Sequence, residues 1–183
     1  MGSTVSGHPG RPAGSLHLRT GTVPDTGIRI TTDRAALPLF LAVLRRLHRH
    51  VKPLGKDTWS FCWRPIRTGH ALSDHAGWAV DVWASGVGAN TMTAPSHMPA
   101  DVARGVSRIL EDFRTPDGRR VFGWGQRRGE PGVTYSGPMY SRLADPMHIF
   151  VAPGISGDDL RATRRRMGIG RDGRQTGAAH RAA

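Results

Sequence analysis

The chain has 183 residues, 38% of them hydrophobic, with 24 Gly, 13 Pro and a formal net charge of +12. That length holds one domain with a real core, but not two once polar tails are set aside, and no run approaches the ~20 apolar residues of a membrane span. The single cysteine, Cys62, excludes an intramolecular disulfide, and the N-terminus lacks the apolar stretch of a secretory signal, so the chain is expected to be made and kept in the cytoplasm unless released.

Residues 1–26 are rich in Gly, Pro, Ser and Thr without apolar periodicity and read as a flexible N-terminal segment. A helix is expected from about Asp33 or Pro38 to His50. Leu37, Phe40, Leu41, Leu44 and Leu47 recur on one helical face, and Pro38 fits only in the first turn. His48 and His50 at its end favour the helix dipole. Residues 58–63 alternate aromatic and polar side chains and read as a strand, with Cys62 packed inside it and Arg64 and Arg67 just after.

The stretch from Ser73 to Asp81 is the one that calls for a chemical explanation. As a strand it places His75, Gly77, Ala79 and Asp81 on one face and Trp78, Val80 and Val82 on the other. Burying a bare carboxylate and imidazole costs several kcal/mol. A metal ion answers that cost: zinc takes His nitrogen and Asp oxygen, and a catalytic site keeps three protein ligands and a water. Gly77 and Ala79 would leave room above the ion.

Beyond it, the Gly-rich segment Ala84 to Asn90 lacks the strand, helix and lysine of a phosphate loop and is assigned no nucleotide role. Pro99 opens a second helix with Val102, Val106, Ile109, Leu110 and Phe113 as its apolar stripe, and Pro116-Asp117-Gly118 turns the chain. Arg120 to Trp124 reads as a strand. Residues 126–144 show no period, and are read either as a cleft wall offering Tyr135 or Tyr140 or as a plain surface loop. The last strand, His148 to Val151, supplies the third ligand, and Asp145, three residues earlier, is placed as general base beside the bound water. An Arg-rich helix follows from roughly Asp158 to Met167, and the remainder reads as disordered. From Arg161 onward there are seven arginines and one acid, Asp172, which is half of the net charge. Such a tail suits a polyanion, or is simply solvated.

At these residues the chain resembles a family of zinc peptidases that includes D-alanyl-D-alanine carboxypeptidases, VanX/VanY-type dipeptidases and phage L-alanyl-D-glutamate endopeptidases. The family signature is S-x-H-x-x-G-x-A-x-D, followed downstream by [ED]-x-x-H. Ser73, His75, Gly77, Ala79 and Asp81 match the first part, and Asp145 with His148 the second. The histidine and aspartate stand six positions apart where the family has seven, so His70 and His97 stand as alternatives to His75. Trp59 to Arg67 is similar to the family's Arg-bearing strand, and Phe122-Gly123-Trp124-Gly125 to its tryptophan-glycine strand. The likeness runs from roughly Thr58 to Ala152, about half of the chain.

The resemblance implies zinc held by His75, Asp81 and His148, with Asp145 as the catalytic base. Arg64, then Arg67, would bind a substrate carboxylate, beside Ser73 and Trp124, although each arginine reads equally well as solvated. The substrate would be the peptidoglycan stem peptide, cut by an endolysin-like enzyme that reaches the wall after holin-dependent release. Two alternatives stay open: a D-Ala-D-Ala carboxypeptidase or dipeptidase, and an idle basic module binding a virion component or nucleic acid. The peptidase reading disfavours nucleic acid and assigns the tail to anionic wall polymers. The division expected is 1–26 flexible, 27–156 zinc peptidase domain, and 157–183 basic helix and tail. Two main helices and four or five short strands without regular β-α alternation argue for α+β, a small antiparallel sheet carrying the zinc site. The resemblance implies the same, a hedgehog/D-Ala-D-Ala-peptidase-like fold.

Overall fold

In the computed structural model, the described residues are 17–56, 58, 77–82, 100–124, 147–152 and 154–176. The first element is an antiparallel hairpin of β1 (Leu18–Thr22) and β2 (Arg29–Asp33), in the register Leu18↔Asp33 to Thr22↔Arg29. Its turn is closed by Val23 N–H donating to the Ile28 carbonyl at 2.8 Å, with Asp25 and Gly27 both at positive φ. β1 falls inside the segment expected to be flexible. The strand Leu-Arg-Thr-Gly-Thr buries no residue fully, and it meets the next helix at Gly21, where a Cβ would lie 3.0 Å from a Leu41 methyl. A contact made by a glycine leaves no hydrophobic period to read.

Helix α1 (Leu37–His50) is the centre of the core. All five of the residues expected on its apolar face are buried, and Pro38 sits in the first turn, where its missing N–H costs nothing. In place of a capping side chain at Ala36, Asp33 Oδ1 accepts from Ala35 N at 2.8 Å and leads the chain into the helix. At the other end, His48 Nδ1 accepts from Leu54 N at 3.1 Å and shapes the exit.

Helix α2 (Ala100–Glu111) packs on α1 through the expected stripe, with Val102, Val106, Ile109, Leu110 and Phe113 all buried. A glycine inside a helix costs about 1 kcal/mol relative to alanine. Gly105 is placed where a Cβ would be 3.0 Å from Val51, so here the cost is offset by close approach. Phe122 joins the two helices to the sheet, 5.0 Å from the Phe40 ring and 5.5 Å from that of Phe113.

Among the described residues that sheet has three antiparallel strands in the order β3 (Ala79–Val82), β5 (Met147–Val151), β4 (Phe122–Trp124), with β5 in the middle. The architecture is therefore mixed α and β with small antiparallel sheets, as expected from the pattern of elements. Among the described residues no helix is long and apolar enough to cross a membrane.

Helix α3 (Gly157–Arg166) contributes Leu160 to the same core. Its N-terminus is a capping box, Ser156 Oγ accepting from Asp159 N and the Asp159 carboxylate accepting from Ser156 N at 2.8 Å. Leu160 and Thr163 are fully buried. At its C-terminus Gly168, at φ 60°, donates to the Arg165 carbonyl and Ile169 to that of Arg164, the paired bonds of a Schellman ending whose following apolar residue, Ile169, is buried. The chain then turns back at once. Gly170 N donates to the Arg174 carbonyl at 2.8 Å and Thr176 N to that of Gly168 at 2.7 Å. Residues 168–176, expected to be disordered, thus form a tight turn. It is seated on α1 by Gly173, where a Cβ would come within 2.4 Å of the Leu41 Cβ.

One carboxylate ties three parts together. Asp25 in the hairpin turn lies 3.0 Å from Arg45, 3.4 Å from Arg49 and 3.3 Å from Arg174. The hydrogen bond from Arg45, aided by the charges of all three, holds its carboxyl below the usual range. Arg119 does the same for α3, bridging Asp117 at 2.7 Å and Asp159 at 2.8 Å.

Candidate metal centre

The two faces of the three-stranded sheet differ. Val80, Val82, Phe122, Trp124, Ile149 and Val151 belong to the core with the helices. The opposite face carries Ala79 and Asp81 of β3, Gly123 of β4, and positions 148 and 150 of β5, because residues in register across an antiparallel pair share a face. This second face is also covered: Ala79 and Phe150 are buried, and Asp81 is only 4% exposed.

Asp81 is the direct partner of His148 in the β3·β5 register. Opposed positions in such a pair have Cβ atoms about 4.5–5.5 Å apart, close enough for one small ion to be shared by side chains from both. The residues thus brought together from 67 positions apart in sequence are the aspartate and the downstream histidine expected as ligands. A carboxylate and an imidazole form a zinc-type donor pair. Asp81 is not without a partner in the fold, so its burial does not by itself demand an ion. The donor chemistry, the register and the small neighbour Ala79 fit one.

Gly77 has a different task from the one expected of it. It lies in a turn ahead of β3, at φ 107°, where L residues are strained. Its carbonyl accepts from Asp33 N at 2.8 Å, and a Cβ there would stand 2.9 Å from a Leu18 methyl and 3.1 Å from that backbone nitrogen. Gly77 is therefore where the hairpin clamps the start of the sheet. Trp78 continues the pairing, its carbonyl accepting from Val151 N at 2.9 Å. The regular alternation starts at Ala79, so Gly77 does not share a strand face with Ala79 and Asp81.

His75, Asp145, Arg64, Arg67 and Ser73, together with the alternatives His70 and His97, lie outside the described residues. Among the described residues no group of three or more His, Cys, Asp or Glu side chains is gathered, two members of the expected set being outside them. Trp124 is described. It is 6% exposed, paired in register with Ile149, and its ring N–H donates to Ser107 Oγ of α2 at 3.3 Å. That is the helix side of the sheet, opposite to Asp81, so the structure does not bring Trp124 together with the expected ligands.

The sequence reading passes over one further convergence. Arg19 of β1 and Arg34, between β2 and α1, line the same recess as three arginines of the C-terminal region. Nothing in the local sequence of either marks it. Comparison with protein families, with curated proteins and with solved structures gives no match for this chain.

Proposed function

We propose that this chain is a zinc-dependent peptidoglycan peptidase that hydrolyses an amide bond of the cell-wall stem peptide. The observation that supports it best is the direct cross-strand pairing of Asp81 with His148 on a covered sheet face. Asp81 and His148, with His75 from the preceding segment, are the residues that would hold the ion. When bound, zinc supplies the Lewis acidity that makes water a nucleophile near neutral pH.

The chain's own residues do the rest. Asp145, three positions before His148, would take a proton from the attacking water as the carbonyl carbon gains its C–O bond, and pass it to the amide nitrogen as the C–N bond breaks, so that the nitrogen leaves as an amine. Arg64 or Arg67 holds a free carboxylate of the substrate, a task suited to the two-pronged guanidinium. Asp81 is buried on strand β3, so its side chain has little conformational freedom left to lose on binding an ion.

The test is incubation of the purified full chain, zinc-loaded, with peptidoglycan, with and without a chelator, followed by mass spectrometry of the released fragments. New chelator-sensitive amino termini are the expected result. Release of a single terminal D-alanine would turn the reading to a carboxypeptidase. Intact wall fragments from several hosts, together with no zinc retained by the protein, would overturn it.

A further inference from the structure

A recess of about 460 Å³ opens where the hairpin, the start of α1 and α3 meet, and among the described residues its lining includes Arg19, Arg34, Arg161, Arg164 and Arg171 and no carboxylate. Five guanidinium groups around one concavity repel each other unless an anion lies among them. Two of the five have local partners. Arg161 pairs with Asp158, whose side chain is 91% exposed, and Arg164 donates to the Ile169 carbonyl at 3.3 Å. Among the described residues no carboxylate is paired with Arg19, Arg34 or Arg171.

The recess is assembled by folded elements. Arg19 is held by the β1·β2 register, and Arg34 by its backbone N–H donating to the His17 carbonyl at 2.7 Å. Arg161 and Arg164 stand one turn apart on a capped helix, and Arg171 lies in the turn seated on α1 by Gly173. Leu37 and Pro38, both buried, provide a floor. The site is thus spread over residues 19 to 171, and the C-terminal turn supplies its Arg171.

We propose that this cleft binds an anion carrying several phosphate groups in a row, as in inorganic polyphosphate or a polyol-phosphate chain. Planar guanidinium forks suit phosphate oxygens better than any other basic side chain, and the volume matches a ligand of two or three phosphate units rather than a single ion. Nucleic acid is the poorer fit. Proteins that hold single strands interleave aromatic platforms for the bases, and among the described residues the lining has no aromatic ring. This inference stands on the arginine cleft alone and is independent of the peptidase reading.

The experiment is calorimetric titration of the full chain, at physiological salt, with sodium tripolyphosphate, with poly(glycerol phosphate) and with a single-stranded oligonucleotide. Each ligand is titrated into the native protein, into Arg34→Gln/Arg171→Gln, and into Arg29→Gln/Arg104→Gln, which removes the same charge outside the cleft. The expected result is binding of one or both phosphate ligands, weakened at least tenfold by the cleft pair and less than twofold by the control pair. The relative affinities of the two then tell which source supplies the phosphates. Equal weakening by both pairs would reduce the effect to net charge and overturn the proposal, as would no binding by the thermally intact native protein. Tighter, cleft-dependent binding of the oligonucleotide would overturn the ligand class. Arg34 and Arg171 are exposed, so their glutamine variants should fold, which a melting curve checks.

Discussion

Replacing Gly77 with alanine should destabilise the protein whether or not zinc is present. The new Cβ would meet two neighbours, a Leu18 methyl at 2.9 Å and the Asp33 backbone nitrogen at 3.1 Å. The leucine can swing away, but the nitrogen cannot move without stretching its 2.8 Å bond to the Gly77 carbonyl. A non-glycine residue at φ 107° adds strain of about 1–3 kcal/mol, and a weakened backbone hydrogen bond about 1 kcal/mol. The sum, about 2–4 kcal/mol, corresponds to a melting temperature lower by roughly 5–15 °C in a chain of this size. Thermal unfolding of the metal-free protein followed by circular dichroism measures it. Gly118→Ala is the control, since Gly118 has φ 87° and an added Cβ there would have nothing within 4 Å, so that the substitution brings strain without a clash. If Gly77→Ala melts no lower than Gly118→Ala while zinc affinity collapses, the clamp is wrong and the glycine serves the ion.

Gly173→Ala should be at least as damaging, by about 2–5 kcal/mol, because its Cβ would meet the α1 backbone at Leu41 and Ala42 as well as requiring φ 77°; chemical denaturation reads the loss, and a neutral outcome would mean that residues 168–176 do not dock as described. Asp159→Asn tests the acid limb of stability. The Asp159 carboxyl is held below its ordinary 3.8 by the bond from Ser156 and by Arg119, so it stabilises the fold above that value and ceases to as pH falls through the lower, folded one. The melting-temperature gap between native and variant should therefore be full near pH 6 and narrow below about pH 4; a gap constant with pH would refute the assignment. Asp145→Ala should keep bound zinc, assayed by metal analysis, and lose nearly all turnover, and a fully active variant would remove the proposed base.

Where the side-chain period coincides with burial, the sequence is a good guide. The α1 stripe from Leu37 to Leu47 and the α2 stripe from Val102 to Phe113 both face the core as their spacing predicts. Asp81 and His148 stand out in the sequence as candidate ligands, but their direct cross-strand register does not, since a four-residue strand buried on both faces has no amphipathic signal to fix its pairing. What was not legible was carried by glycines and charges. β1 meets α1 through Gly21 and the C-terminal turn meets it through Gly173, and a missing side chain leaves no hydrophobic mark. Arg174 reads as part of a solvated run because one of its carboxylate partners, Asp25, stands 149 positions away in sequence. Arg19 and Arg34 carry no signal until the hairpin is folded against α3.

The zinc reading and a merely structural reading of Asp81 differ in a way that a double-mutant cycle can measure. If Asp81 is only a buried carboxylate satisfied within the fold, Asp81→Ala should weaken the metal-free protein by about 1–3 kcal/mol, the cost of disturbing a buried polar group and its partner. His148→Ala would then act separately, and neither would change with added zinc. If the two positions hold one ion, each single variant should abolish most of the stabilisation that zinc confers, and the double variant should lose little more. That stabilisation is RT ln(1 + [Zn]/Kd), about 2.7 kcal/mol at a hundredfold excess over Kd, so the coupling should be of about that size. It should also disappear in the presence of a chelator, where only the metal-free costs remain. Register partners are close enough for coupling of purely structural origin, typically about 0.5–3 kcal/mol of either sign, so the zinc dependence is the deciding quantity. Coupling that is identical with zinc and with chelator would leave Asp81 and His148 as a structural pair and remove the metal centre.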